Sequence, residues 1–98
     1  MTAYVIVRAN VTDLDKWKEY AAAAGPTSVP FGGKYIVRGG AVEGLENFAD
    51  EGMRVVVLEF PDMDSARNWY NSVEYTEARK LRETAGHAHF TLVDGYDG

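Results

Sequence analysis

The first predicted strand is apolar on both of its faces, and this feature most constrains the fold of the chain. Residues 3–9 are rich in β-branched side chains, which is typical of a strand. One face carries Tyr4, Ile6 and Arg8, and the other carries Ala3, Val5, Val7 and Ala9. Strands of this kind occur in sheets that are covered on both sides. We therefore expect helices on one side of the sheet and a second cover on the other.

Three further strands are predicted at residues 34–38, 53–60 and 87–94. Pro61 has no backbone N–H to donate and therefore marks the end of the third strand. Residues 27–33, which contain Pro30 and a Gly pair, are predicted to be a loop, and so are residues 39–52, which begin with a Gly pair.

Two helical regions are predicted from apolar residues at helical spacing. Thr12 caps the first helix, which ends at the Gly-Pro pair of residues 25–26. Asp62 caps the second helix, and Ser72 begins a further helical piece. The apolar faces of the three pieces are Leu14, Trp17, Ala21 and Ala24, then Ala66, Trp69, Tyr70 and Val73, then Tyr75, Ala78, Leu81 and Ala85.

The resulting order, β-α-β-β-α-β, is the ferredoxin-like pattern of an α+β protein. It predicts a four-stranded antiparallel sheet with helices on one face, in a single domain that spans residues 1–98. A chain this short has a thin core, yet this one contains two Trp, six Tyr and four Phe. A second copy of the chain would cover the open sheet face, so we expect a homodimer.

Composition excludes several classes of protein. Hydrophobic residues make up 46% of the chain and charged residues 26%, which is a globular balance and not that of a disordered segment. No apolar run approaches the ~20 residues of a membrane helix. The first residues lack the basic stretch and apolar core of a secretory signal, so we do not expect one. The absence of Cys favours the cytoplasm. A net charge of −5 without a basic face argues against nucleic-acid binding.

Several motifs occur together and in order along the chain. They include Ala-Tyr-Val-Ile-Val at residues 3–7, Val-Arg-Gly-Gly at 37–40, Glu-Phe-Pro at 59–61 and Trp-Tyr-Asn-Ser-Val-Glu-Tyr at 69–75. In this combination the chain resembles the family catalogued as domain of unknown function 1330, over nearly its whole length. The resemblance implies a ferredoxin-like chain that pairs through its sheet into a dimeric α/β barrel. It implies no established reaction.

The wider group of dimeric α/β barrels includes cofactor-free monooxygenases, lactone isomerases and haem-binding enzymes. Assigning any of these activities here would be an analogy of fold, and fold does not determine function.

Glu59 is the most informative acidic residue, because it lies within the apolar third strand. Carboxylates are seldom buried without a partner. One interpretation is a general base with a raised pKa. The other is a salt bridge to Arg38 or Arg8, or an exposed position before Pro61.

His87 and His89 are two residues apart on a strand and therefore share a face. Together with Glu59 they could approach one metal ion. The alternative, which we favour, places one His in solvent and the other in a hydrogen bond at the dimer interface. We accordingly predict neither a metal nor a cofactor. A Ser-His-acid triad is also disfavoured, because the chain has no G-x-S-x-G motif.

Arg38 lies between Val37 and a Gly-Gly pair. A guanidinium beside glycines suits the close approach of a carboxylate or a phosphate-like group. Alternatively, Arg38 pairs with Glu43 or Glu59 and holds the following loop.

The aromatic residues of the helices have two interpretations. Trp69 and Tyr70 could line a pocket for a flat apolar ligand, or they could belong to the core. Tyr4 could donate a hydrogen bond in that pocket or face water. The basic cluster Arg79, Lys80 and Arg82 is expected to be a solvated helix end.

Together these features predict a cytoplasmic homodimer that binds a small organic ligand in a cleft between sheet and helices. Arg38, Glu59 and His89 are expected to edge the cleft. Arg38 and Glu59 are expected to form one polar constellation without direct contact in one chain, either across the cleft, through the ligand, through Arg8 or with the dimer partner. The alternative is a cofactor-independent monooxygenase- or isomerase-like enzyme with Glu59 or His89 as its base. The sequence identifies neither the ligand nor a substrate.

Overall fold

The predicted order of strands and helices is confirmed, with two 3₁₀ segments added. The structure is a computed structural model that describes residues 2–46 and 53–96. Its strands are β1 (Ala3–Val11), β2 (Lys34–Arg38), β3 (Arg54–Phe60) and β4 (Gly86–Asp94), its helices are α1 (Leu14–Ala24), α2 (Met63–Tyr70) and α3 (Val73–Arg79), and its 3₁₀ segments are Gly25–Phe31 and Lys80–Arg82. Residues 47–52, which form part of the predicted loop at 39–52, lie outside the described residues.

The sheet has the order β2-β3-β1-β4, and all three pairings are antiparallel. In the centre of the sheet, Ala3 of β1 opposes Phe60 of β3 on one side and Asp94 of β4 on the other. This is the ferredoxin-like arrangement that the element order predicts, and it confirms the α+β fold class. Within the described part of the chain, no helix is long and apolar enough to cross a membrane.

All helices pack on one side of the sheet, and the core lies between the two layers. Burial alternates along β1, where Val5 and Val7 are buried while Ile6 is only half-buried and Arg8 is exposed. The largest fully buried side chains include Trp69, Tyr75 and Phe60. On the second face of the sheet, the described side chains of β1 and β3 are half-buried or exposed, and we call this side the open face.

Helix α1 begins one residue later than predicted. The carboxylate of Asp13 accepts a hydrogen bond from the backbone N–H of Lys16 at 3.2 Å and is therefore the N-cap. Thr12, the predicted cap, instead donates its hydroxyl to the carbonyl of Ala85 at 3.2 Å. Leu14 is 42% exposed, and Tyr20 is buried. The buried face of α1 thus follows Trp17, Tyr20 and Ala24.

The predicted starts of the other two helices are confirmed. The side chain of Asp62 accepts from the N–H of Ser65 at 2.7 Å, and that of Ser72 accepts from Tyr75 at 3.2 Å. Val73 was predicted to continue the apolar face of α2, but it is 74% exposed. The reason is that α2 ends at Tyr70, so α3 is a separate helix with its own phase.

Leu81 is likewise exposed, although an inward position is predicted. It lies in the 3₁₀ segment after α3, where the spacing of inward positions is three residues per turn instead of 3.6.

The segment predicted as a loop at residues 27–33 is largely 3₁₀ helix, and it packs closely on the end of β3. Gly32 ends the segment with φ +77°, a conformation that favours glycine. A Cβ atom at Gly33 would lie 2.6 Å from the ring of Phe60. The close approach at Gly33 lets this segment cover the core.

Candidate functional site

A cavity of about 260 Å³ lies between the helix-facing side of the sheet and α1. Its floor is formed by aliphatic residues of the two central strands, Val7, Val56 and Leu58. Its walls are aromatic and come from four different elements. These wall residues are Trp17, Tyr20, Tyr35, Trp69 and Phe90. We refer to this cavity as the cleft.

Three basic side chains also line the cleft, namely Lys18 of α1, Arg38 of β2 and Arg54 of β3. No Asp, Glu or His is among the described residues that line it. Salt bridges elsewhere in the described chain do not involve these three residues. The cleft therefore combines apolar, aromatic walls with positive charge.

Arg38 reaches the cleft because of a bulge in β2. Tyr35 opposes Leu58 and Arg38 opposes Val56, with a register shift between Tyr35 and Val37. Simple alternation would place residues 35 and 38 on opposite faces. The extra residue, Ile36, brings both onto the helix-facing side. There the guanidinium of Arg38 lies over the ring of Tyr35, 4.3 Å from its centroid.

Two tyrosine hydroxyls form a buried pair next to the cleft. The hydroxyl oxygens of Tyr20 and Tyr75 are 2.8 Å apart. Burial is the main reason that the pKa of each of these phenols is raised above its ordinary value. The pKa of Tyr35 is raised for the same reason. These phenols therefore stay protonated at physiological pH, and in the Tyr20–Tyr75 pair one hydroxyl donates and the other accepts.

Trp69 belongs to the core and also forms a wall of the cleft. It is 1% exposed, and its ring centroid lies 4.3 Å from that of Tyr75. Its indole N–H donates to the hydroxyl of Thr27 at 3.0 Å. The two interpretations of Trp69, pocket and core, are therefore not exclusive.

One interpretation of the sequence places Tyr70 and Trp69 in the same pocket. In the structure, Trp69 lines the cleft and Tyr70 does not. It lines a separate cavity of about 210 Å³ beside α2. Its hydroxyl accepts a hydrogen bond from Arg79 at 2.8 Å. Arg82 lies over the ring of Phe90, 4.6 Å from its centroid. The basic cluster after α3 is therefore not simply a solvated helix end, although Lys80 does form an exposed ion pair with Glu77.

Glu59 lies on the open face of the sheet, away from the cleft. Its neighbours Leu58 and Phe60 are buried on the helix-facing side, and alternate residues of a strand point to opposite faces. Its carboxylate pairs with the ammonium of Lys34 at 3.6 Å. The predicted salt bridge to Arg38 or Arg8 is therefore wrong in its partner, because the register of the β2–β3 pair places Lys34 opposite Glu59.

Tyr4 and His89 share the open face with Glu59. Tyr4 opposes Glu59 directly, and His89 opposes Arg8 on the other side of β1. The prediction that Glu59 and His89 edge the cleft with Arg38 is wrong, and an Arg38–Glu59 constellation across that cleft is wrong with it. Strand alternation and the β2 bulge put Arg38 on one side of the sheet and the other residues on the opposite side.

The open face does not bring together the ligand set considered for a metal. Glu59 is on β3 and His87 and His89 are on β4, with β1 between them. Across the residues that the structure describes, no three His, Asp or Glu side chains are placed to hold a metal ion.

Four residues line the cleft although the sequence pattern alone does not predict them there, namely Tyr20, Tyr35, Lys18 and Arg54. Tyr20 lies three residues after Trp17, and this helical spacing is a signal for a shared face. Arg54 was predicted only as part of a strand. Its place in the cleft depends on the pairing of β3 with β2, which local sequence does not specify.

Comparison with known proteins connects the chain to one family. The family model described as "Domain of unknown function (DUF1330)" matches residues 2–96. Comparison with curated proteins finds no match.

Several solved structures share the fold. The RPA0582 protein of unknown function from Rhodopseudomonas palustris aligns with a TM-score of 0.79 at 17% identity, over 99% of this chain and 84% of that one. SnoaB, a cofactor-independent oxygenase from Streptomyces nogalater, aligns with a TM-score of 0.73 at 9% identity, over 99% and 95%. A conserved protein from Methanosarcina mazei Go1 aligns with a TM-score of 0.64 at 14% identity, over 98% and 94%. At these identities the similarity is one of fold.

Proposed function

This chain belongs to the DUF1330 family, and from that premise we propose that it is a homodimer that binds a small, flat organic ligand in the cleft. The observation that carries the proposal is the aromatic lining of the cleft. Ligand pockets are concave and mostly apolar, with a few polar groups that orient the ligand. The volume of about 260 Å³ is close to the lower end of such pockets, roughly 300 Å³, which favours a small ligand.

The position of Trp17, Tyr20 and Trp69 supports this assignment. These rings are buried or nearly buried, and yet they border a cavity. Protein interiors are normally packed without voids larger than a water molecule. A flat ring in the cleft would restore the missing contacts with these side chains.

The test of ligand binding is a thermal-shift screen with flat aromatic compounds of one or two rings. A ligand present at 100 times its Kd stabilises the native state by about 2.7 kcal/mol. The variant Ala21→Leu places extra volume in the cleft and should lose this stabilisation, because Ala21 lines the cavity. Ala22→Leu is the matched control, since Ala22 is exposed on the same helix outside the lining. Equal stabilisation of both variants would place the ligand elsewhere.

The homodimer is supported by the open face of the sheet. Ile6, Val55 and Val57 remain only half-buried on this face. Pairing two such faces would bury these side chains, and a stable interface needs at least ~1,000 Å² in total. Sedimentation at micromolar concentration should give twice the 10.8 kDa chain mass. Ile6→Glu should shift the protein to the single-chain mass, whereas Lys16→Glu on exposed α1 should not. A wild-type particle of 10.8 kDa would refute the dimer.

A second candidate function is a cofactor-independent monooxygenase or isomerase. The observation that favours it is the shared fold with the oxygenase SnoaB over 99% of this chain. Such chemistry needs a substrate that stabilises a carbanion and a base that deprotonates it. Glu59 or His89 would act as that base at the open face, since the described lining of the cleft contains no carboxylate or imidazole.

Oxygen uptake distinguishes this candidate from simple binding. The assay would use aromatic ketones whose conjugate bases are resonance-stabilised, with wild type, Glu59→Gln and His89→Gln. Turnover that is lost in one of these two variants, but kept in Ala21→Leu, would favour an enzyme with its site on the open face. Ligand binding in the cleft without any oxygen uptake or isomerisation would favour the binding protein.

A further inference from the structure

Two of the three basic residues of the cleft lie at the same end of the β2–β3 pair. Arg38 lies at the end of β2 and opposes Val56 of β3, while Arg54 lies two residues before Val56 on the same strand face. Both arginines line the cleft, and Lys18 joins them from α1. The full chain has ten Lys and Arg against fifteen Asp and Glu. The net charge of the chain is −5, yet the described lining of the cleft holds three cationic side chains and no acidic one. The local charge of the cleft is therefore opposite in sign to that of the whole chain.

Arg38 is held in position but keeps most of its hydrogen-bonding capacity. Its guanidinium stacks on Tyr35, and one nitrogen donates to the carbonyl of Ala21 at 3.4 Å. A guanidinium has five N–H donors. Stacking on an aromatic ring leaves the edge of the guanidinium plane free, and this edge binds carboxylates in a bidentate manner.

Arg54 is brought close to the same end by Gly39. A Cβ atom built at Gly39 would lie 3.3 Å from a terminal nitrogen of Arg54, and Gly39 has φ +71°. A larger residue there would be strained and would crowd the guanidinium. Gly39 therefore leaves room for the guanidinium of Arg54. Since Arg38 and Arg54 line the same cleft, a bound anion would be stabilised by both positive charges.

These observations point to a ligand with two parts. We infer that the cleft binds an aromatic carboxylate, with its ring between Trp17, Tyr20 and Trp69 and its carboxylate at Arg38 and Arg54. This inference rests on the proposed function, because it specifies the chemical class of the cleft ligand. Lys18 adds positive charge at the same cleft without contributing the planar, bidentate geometry of an arginine.

The experiment compares naphthalene-2-carboxylate with naphthalene-2-carboxamide by isothermal titration calorimetry. The two probes share a ring and differ in charge. Wild type should bind the carboxylate at least roughly tenfold more tightly than the amide, because charge-assisted hydrogen bonds are about twice as strong as neutral ones. In Arg38→Met the preference should fall toward equal affinity, while binding of the amide should change little. Arg54→Met should reduce the preference independently.

Lys16→Met is the matched control, because Lys16 is an exposed cation of α1 that does not line the cleft. It should keep the full preference for the carboxylate. An equal loss in Lys16→Met and Arg38→Met would overturn the inference, because the effect would then come from net charge. Circular dichroism of each variant verifies the fold.

The possible failures are distinguishable. If wild type binds the amide as tightly as the carboxylate, the charge specificity is refuted and the aromatic binding site stands. If wild type binds neither probe, and Ala21→Leu and Ala22→Leu respond alike in the broader screen, the binding site itself is refuted.

Discussion

Removal of one hydroxyl from the buried tyrosine pair should destabilise the protein more than removal of both. The two oxygens are 2.8 Å apart, Tyr75 is fully buried and Tyr20 is 7% exposed. Tyr75→Phe changes the packing very little but leaves the hydroxyl of Tyr20 without this partner. An unpaired buried polar group costs about 1–3 kcal/mol. The hydroxyl of Tyr20 is buried, so the loss should fall within this interval.

Tyr20→Phe should give a loss near the lower end of this interval, because the buried hydroxyl of Tyr75 loses Tyr20 but keeps the neighbouring guanidinium of Arg82. The double variant removes both hydroxyls and leaves neither one unpaired. Replacing both partners by apolar groups of the same shape can be nearly neutral. The sum of the two single losses should therefore exceed the loss in the double variant by at least ~1 kcal/mol, which is a coupling typical of residues in contact.

Urea unfolding at neutral pH measures the four free energies of the cycle, at one protein concentration throughout. In thermal melts a loss of 1 kcal/mol corresponds to about 4–8 °C for a domain of this size. Tyr96→Phe is the matched control, since Tyr96 is 97% exposed and its hydroxyl has no buried partner to lose. Its free energy of unfolding should stay within about 0.5 kcal/mol of wild type. Additive losses in the cycle would refute the argument, since they would mean that the two hydroxyls do not depend on each other.

Three other predictions follow from the same structure. Trp69→Ala should lose about 3–5 kcal/mol in urea unfolding, because Trp69 is a fully buried core residue; a loss under ~1 kcal/mol would contradict its place in the core. Stability should fall above about pH 10, the unfolded pKa of tyrosine, because burial raises the pKa of Tyr20 and Tyr75 in the folded state. The melts of wild type and of the double variant Tyr20→Phe/Tyr75→Phe as a function of pH measure this effect, and the double variant should lose less stability above about pH 10. Glu59→Gln and Arg38→Met should be additive within about 0.5 kcal/mol, since the two side chains lie on opposite faces of the sheet, and a larger coupling would contradict that placement.

The order of strands and helices along the chain could be predicted from sequence because its signals are local. β2 coincides with the predicted residues 34–38, since β-branched residues are flanked there by Gly pairs. Helix starts at Asp62 and Ser72 were also predicted from one side chain each. The wrong predictions concern which residues of a helix face the core. Leu14 and Val73 fit the apolar spacing, but each is the first residue of its helix and remains exposed.

Glu59 shows why the candidate site was harder to predict than the fold. Its apolar neighbours Leu58 and Phe60 suggest a buried acid, but in a strand the immediate neighbours point to the opposite face. The environment of a strand side chain is set by the residues of the neighbouring strands that point to the same face of the sheet. Lys34 is one of them, and it becomes the ion-pair partner of Glu59 only through the register of β2 with β3.

The β2 bulge is the feature on which the chemistry of the cleft depends. Strict alternation from Tyr35 would turn Arg38 toward the open face, together with Glu59, and would leave the cleft without its stacked guanidinium. One extra residue, Ile36, reverses this outcome without altering the order of the strands. A bulge has little signature in a single sequence, since it depends on which residues the neighbouring strand pairs with. The fold therefore follows from local patterns along the chain, whereas the charge of the cleft follows from a one-residue shift in strand pairing.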